Sequence, residues 1–277
     1  MKKIIAVFDG LRFSNATLEQ AVDLAKHHQA HLVGVFLSES LRTGFAVYET
    51  VAGQTRRGRN ALQLLEEDDR TSLEASIDLF ESACRNAGLE HSLHKDKGSA
   101  LEQLVHESIF ADLLVIDRRE TFSSAEESTP GWFVKYALHE VLCPVWIAAP
   151  QPVRIDKLIF LYDGKPSSVY AMKQFAYLFP DYSVFRTEVF TFKPETLNLH
   201  VPDHRLIHEW TKRHYPNAVF QTIQGDRDEA LAVLRQQVPA LLVTGSYRRP
   251  QLSMFFERSF ADELMRNLKM PVFIAHA

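Results

Sequence analysis

Glycine is scarce in this chain, with 11 in 277 residues, and cysteine scarcer, with only Cys84 and Cys143. The two thiols lie far apart, without redox or metal-ligand spacing, which excludes a disulfide framework and reads as buried thiols in a reducing compartment. No stretch approaches the roughly 18 consecutive apolar residues of a membrane span, and the opening "MKKIIAVFDG" reads as a short strand. The expectation is a cytoplasmic protein with no membrane partner. Positive charge is not in excess either. Lys and Arg number 31 against 35 Asp and Glu, for a net charge of −4 and a pI near 6.3, which argues against nucleic acid as a partner. G-x-S-x-G, H-E-x-x-H and G-x4-G-K-[S/T] are all absent, so no catalytic residue is assigned and no enzyme is expected.

What the chain does have is an internal repeat. "KKIIAVFDGLRFSNATLEQAVDLAKHH" returns as "DKLIFLYDGKPSSVYAMKQFAYLFPDY", with Asp9 and Gly10 matching Asp163 and Gly164. "GSALEQLVHESIFADLLVID" parallels "GDRDEALAVLRQQVPALLVTG", and "HEVLCPVWIAAP" parallels "MRNLKMPVFIAHA". Two domains follow, 1–150 and 151–277, joined by the extended "APQPVR", in which each proline restricts itself and its predecessor.

Within each copy, short apolar runs alternate with amphipathic helical patterns, the signature of βαβ units around a parallel sheet. Strands are expected at Lys3–Phe8, His31–Phe36, His91–Lys95, Leu113–Asp117 and Val145–Ala148. Ser14 and Ser168 precede periodic segments, as helix caps do. Between its second strand and second helix the first copy adds an irregular stretch including Leu41 to Arg59, of a length usual for functional or mobile loops.

Two α/β units, each opening strand-Asp-Gly and closing on x-Pro-Val-hydrophobic, resemble a tandem universal stress protein over nearly the whole chain. The resemblance implies a five-stranded parallel sheet of order 3-2-1-4-5 in each copy and an intramolecular pseudo-dimer through the last strands, with a further homodimer left open. It also implies an adenosine site held by an Asp at the end of the first strand and an apolar residue in the second. By position these are Asp9 and Val35 in copy one, and Asp163 and Val189 in copy two.

ATP-binding members of that family carry G-x2-G-x9-G-[S/T] after the fourth strand. In copy two Gly245 keeps the first position, Arg248 and Arg258 replace the other two glycines at the same spacing, and Ser259 keeps the hydroxyl. In copy one Asp117 and Glu120 stand where the first two glycines belong, and the closing pair is Gly131-Trp132. Two carboxylates repel a polyanion, so copy one is not expected to bind ATP in the family manner. Arg248, Arg249 and Arg258 can fork onto phosphate or carboxylate. They read equally as solvated loop residues or members of ion pairs.

His200, His204 and His208 stand four residues apart, but Pro202 interrupts the set, and a helix is expected to begin near Asp203 with His204 and His208 as surface neighbours. No metal is assigned. His27, His28 and His31 fall at a helix end, where cations are favoured. The consecutive Glu66-Glu67-Asp68-Asp69 reads as a solvated face. The resulting expectation is a regulatory binding protein with no certain cofactor, ATP or another small anion as the ligand of copy two, and an unknown regulatory protein as partner. The alternative is an ATP-binding or slowly hydrolysing switch centred on copy two.

Overall fold

The structure, a computed structural model, describes residues 1–9, 12–38, 56–97, 99–120, 129–194, 199–237, 239–245 and 260–276. Ten strands and eight α-helices alternate through these residues, and packing divides the chain into two compact units, Lys2–Ala137 and Leu138–Ala277, the second also taking Met1.

The first unit runs β1 (Lys3–Asp9), α1 (Asn15–His28), β2 (His31–Ser38), α2 (Arg56–Ala87), β3 (His91–Lys97), α3 (Ala100–Ser108), β4 (Leu113–Asp117) and the start of α4 (Trp132–Glu140). Its strands are parallel in the order β3-β2-β1-β4, and the strand positions agree with those expected from the apolar runs. Ile4 to Phe8 are completely buried, because helices cover both faces of a parallel sheet and leave no wet side. Helix α1 starts where Ser14 Oγ accepts the Thr17 N–H at 3.3 Å. It ends at Gln29, which adopts the left-handed conformation with φ 49°. Lys26, His27 and His28 fill its last turn, at the negative end of the helix dipole. Residues 56–59 of the expected loop belong to α2, whose helical pattern begins earlier than the irregular sequence suggests; residues 41–55 lie outside the described residues.

The second unit runs β5 (Val145–Ala148), β6 (Lys157–Leu161), α5 (Pro166–Leu178), a 3-10 turn (Pro180–Val184), β7 (Arg186–Lys193), α6 (His204–His214), β8 (Val219–Gln224), α7 (Arg227–Arg235), β9 (Leu241–Gly245), α8 (Phe260–Asn267) and β10 (Val272–Ala275). The order β8-β7-β6-β9-β10 is parallel throughout. It is the 3-2-1-4-5 arrangement. β5 then joins antiparallel to β10, with Ile147 opposite Val272 and Val145 opposite Ile274. All four side chains are at most 2% exposed, and each such burial contributes about 1.5–3 kcal/mol. The pairing explains why β5, which the repeat assigns to the first copy, packs with the second unit. Between β5 and β6, residues 149–156 form no regular element.

Ser168 differs from expectation. Helix α5 begins at Pro166, with Lys165 as its N-cap and no capping side chain, so Ser168 lies inside the first turn and returns its hydroxyl to the Lys165 carbonyl at 2.9 Å. Pro166 sets the start, because a fixed φ and a missing N–H are tolerated at the first helical position.

Candidate functional site: a second-unit cavity and its self-filled counterpart

In the second unit a cavity of about 780 Å³ opens at the C-terminal ends of β6, β7 and β9, against the first turns of α5 and α7. This is where open parallel sheets place ligands, since loops diverge there and helix N-termini converge. Its apolar wall is aromatic. Phe190 and Phe192 project from β7 with ring centroids 6.1 Å apart, and Phe260 of α8 lies 6.3 Å from Phe192. Tyr162 donates its hydroxyl to the Pro202 carbonyl at 3.0 Å. Burial, then the nearby Asp203 and Asp163, raise its pKa and keep it a donor.

The polar wall carries both signs. Asp163 Oδ1 accepts the Lys165 N–H at 3.0 Å, and Lys165 Nζ lies 3.4 Å from Oδ2. The turn needs Gly164, whose φ of +81° suits glycine and whose added Cβ would meet Pro202 Cβ at 2.5 Å. Lys193 donates its ammonium to the His200 carbonyl. Arg227 Nη1 stands 3.6 Å from Glu263 Oε1. Asp226 caps α7, accepting the N–H groups of Asp228 and Glu229 at 2.9 and 3.0 Å, while Glu229 accepts the Asp226 N–H at 2.8 Å. That reciprocal box satisfies the α7 N-terminus from within. Helix α5 has no such box, which leaves its positive end as the anion-attracting side of the cavity.

Of the residues singled out in the sequence, Asp163, Ser168 and Gly245 line this cavity. Val189 is buried in β7 between Phe160 and Phe220, and the cavity is lined from that strand by Phe190, Phe192 and Lys193 instead. The spacing of two in "VFTFK" carried that signal, since alternate residues of a strand share a face. Arg248, Arg249, Arg258 and Ser259 lie outside the described residues.

At the equivalent strand ends of the first unit, the described residues bond to one another. Asp9 closes β1 and Asp117 closes β4, 4% and 3% exposed. Ser14, the α1 cap, donates its hydroxyl to Asp117 Oδ2 at 2.7 Å. Arg119 adds its backbone N–H to Oδ1 at 2.8 Å, Nε to Oδ1 at 3.1 Å and Nη2 to Oδ2 at 2.9 Å. Burial works to raise the Asp117 pKa, but these bonds from Arg119 and Ser14 outweigh it and hold the group below the usual carboxylate range. An internal carboxylate thus sits beside the helix N-terminus, where an external anion would otherwise be favoured. Val35 is buried in β2 opposite Val7 and His94, and Gly131 is buried and offers its carbonyl to the Lys135 N–H at 3.2 Å.

A model of the universal stress protein family matches residues 1–149, more than half of the 277-residue chain. The chain belongs to the universal stress protein family. Among solved structures it is similar to a universal stress protein from Archaeoglobus fulgidus, with a TM-score of 0.71 over 99% of this chain and 96% of that one at 14% identity. It is also similar to a functionally unknown protein from Pseudomonas aeruginosa, with a TM-score of 0.64 over 100% and 92% at 14% identity. At such identities the likeness is one of fold. No curated protein matches.

Elsewhere in this universal stress protein, the rings of His204 and His208 lie tilted against each other at 37°. Their centroids lie 4.1 Å apart, and His208 stacks on Phe220 at 3.8 Å. Burial, then His204, lower the His208 pKa. Both cysteines are buried and outside any disulfide, and burial, then Glu81, push the Cys84 thiol up to about 11, which makes it a poor nucleophile. No helix among the described residues is long and apolar enough to cross a membrane.

Proposed function

We propose that this universal stress protein is a tandem of two family units, paired internally through β5 and β10, that acts in the cytoplasm as a stress-responsive binding protein without turnover of its own. Its ligand is a small anion bearing a planar ring, an adenine nucleotide being the first to test, and it enters the second-unit cavity. A regulatory protein partner then reads the occupied state. The observation that carries this reading is the contrast between the units: about 780 Å³ of aromatic-walled space in the second, against an internal Asp117–Arg119–Ser14 assembly at the matching strand ends of the first. Ring faces and edges from Phe190, Phe192 and Phe260 suit a flat heterocycle, while Lys193, Arg227 and the α5 N-terminus suit its anionic group.

Calorimetric titration of the full chain with AMP, Mg-ATP and inorganic phosphate tests this. The expected result is one site per chain, with affinity lowered about tenfold or more by Phe192→Ala or Lys193→Met, equivalent to about 1.4 kcal/mol, and unchanged by Ser14→Ala. Binding to neither nucleotide, or binding indifferent to both cavity substitutions, overturns the reading. Steady ATP hydrolysis abolished by Lys193→Met would replace it with the switch alternative.

A further inference from the structure

One buried carboxyl in the first unit is not used by the ligand-binding reading. Glu120 is only 4% exposed, and its Oε1 reaches no hydrogen-bond partner. The charged groups facing it are Asp9 from β1 and, from the turn after β4, Asp117 and Arg119. Arg118, also 4% exposed, interacts with Asp117 and Arg119, whereas the Arg119 side chain is 64% exposed. Asp9 and Asp117 already place two negative charges beside Glu120. An ionised Glu120 would add a third negative charge in a place water barely reaches. Arg119, whose Nε and Nη2 go to Asp117, and a hydrogen bond from the Asp9 backbone favour the ionised form, but burial and the two carboxylates outweigh them. A buried carboxyl in that position is stabilised by keeping its proton.

We propose that Glu120 is the proton-binding residue of an alkali-sensitive lock, which in its neutral form pins the turn after β4 against the end of β1 and on ionisation leaves the cluster and loosens that contact. The Glu120 Oε1 is buried and takes no hydrogen bond. Burial, then Asp9 and Asp117, hold the Glu120 pKa well above the usual carboxylate range, in agreement with the geometry. The sign of the effect is fixed. The unfolded chain gives up this proton near pH 4.3, whereas the folded chain retains it. Stability contributed at low pH is therefore lost as pH rises from the unfolded value through the folded one. Within that window the unfolding equilibrium constant of the wild type grows by up to about tenfold per pH unit relative to a variant that does not titrate there.

The test compares urea unfolding of the wild type and Glu120→Gln from pH 5 to pH 10, with infrared detection of a protonated-carboxyl band in the folded wild type. The expected outcome is a pH-dependent gap in favour of Glu120→Gln, a carboxyl band lost in the variant, and faster amide exchange at β1 and β4 in the alkaline wild type but not in the variant. Parallel stability profiles, or a wild type lacking the band at neutral pH, overturn the proposal. Stabilisation of the wild type but not the variant by millimolar Mg²⁺ or Ca²⁺ also overturns it, by making a cation the occupant. Should Glu120→Gln not fold, the infrared band and alkaline exchange of the wild type decide the matter alone.

Discussion

Ser14 Oγ donates to Asp117 Oδ2 at 2.7 Å, across 103 residues of sequence, while accepting the Thr17 N–H at 3.3 Å. One hydroxyl thereby starts α1 and anchors the end of β4. Removing a cap costs about 1 kcal/mol, and a buried hydrogen bond to a charged group contributes about 1.5–3 kcal/mol. Ser14→Ala is expected to lower unfolding stability by about 2–3 kcal/mol in urea titration. Asp117→Asn removes the partner of both Ser14 and Arg119 and is expected to cost at least as much. Because the residues share one network, the double substitution should cost less than the sum; strict additivity would show that the bond contributes nothing.

Asp117 also sets an acid limit. Its folded pKa is depressed despite burial, through Arg119 and Ser14, so its contribution is fully present above the unfolded value of about 3.9 and is lost as pH falls through the folded value. The stability gap between wild type and Asp117→Asn is therefore expected to be constant at neutral pH and to narrow below about pH 4. A gap that persists unchanged in acid contradicts the assignment.

Ile147 and Val272 face each other in the antiparallel β5–β10 pair, 0% and 1% exposed. Ile147→Glu places an unpaired charge there and is expected to destabilise by about 3–5 kcal/mol or to abolish folding. Ile147→Val, which removes one methylene, is expected to cost about 0.5–1.5 kcal/mol. A glutamate variant as stable as the wild type in thermal and urea unfolding would mean that this strand pair does not hold in solution.

The strands were legible because their apolar runs, such as Ile4 to Phe8 and Leu113 to Asp117, are buried on both faces and need no knowledge of neighbours. The 3-2-1-4-5 order of the second unit was an expectation from the family resemblance, not from the apolar runs. The site was less legible. Asp117 and Glu120 were recognisable as hostile to phosphate, but not as partners of Ser14 and Asp9, because those contacts join opposite ends of the first unit. Val189 stood in for Phe190 and Phe192, since motif position does not say which face of a strand meets a cavity. Ser168 failed as a cap because Pro166 captured the first helical position two residues earlier.

Gly245 separates two readings of the same residue. The family motif would have it as the first glycine of a phosphate loop, yet an added Cβ would lie 2.5 Å from the carbonyl carbon and oxygen of Ser167 and 2.9 Å from Ser168 N. Those atoms are backbone and cannot swing aside as a flexible side chain could. Close packing of the β9 end on the first turn of α5 is therefore sufficient reason for glycine, with no ligand present. Gly245→Ala is expected to cost about 1–3 kcal/mol through overpacking, read by urea unfolding of ligand-free protein. It should also weaken binding in the cavity, because α5 must shift to admit the methyl group. A variant with unchanged ligand-free stability and lost nucleotide affinity would return Gly245 to the role of a phosphate contact.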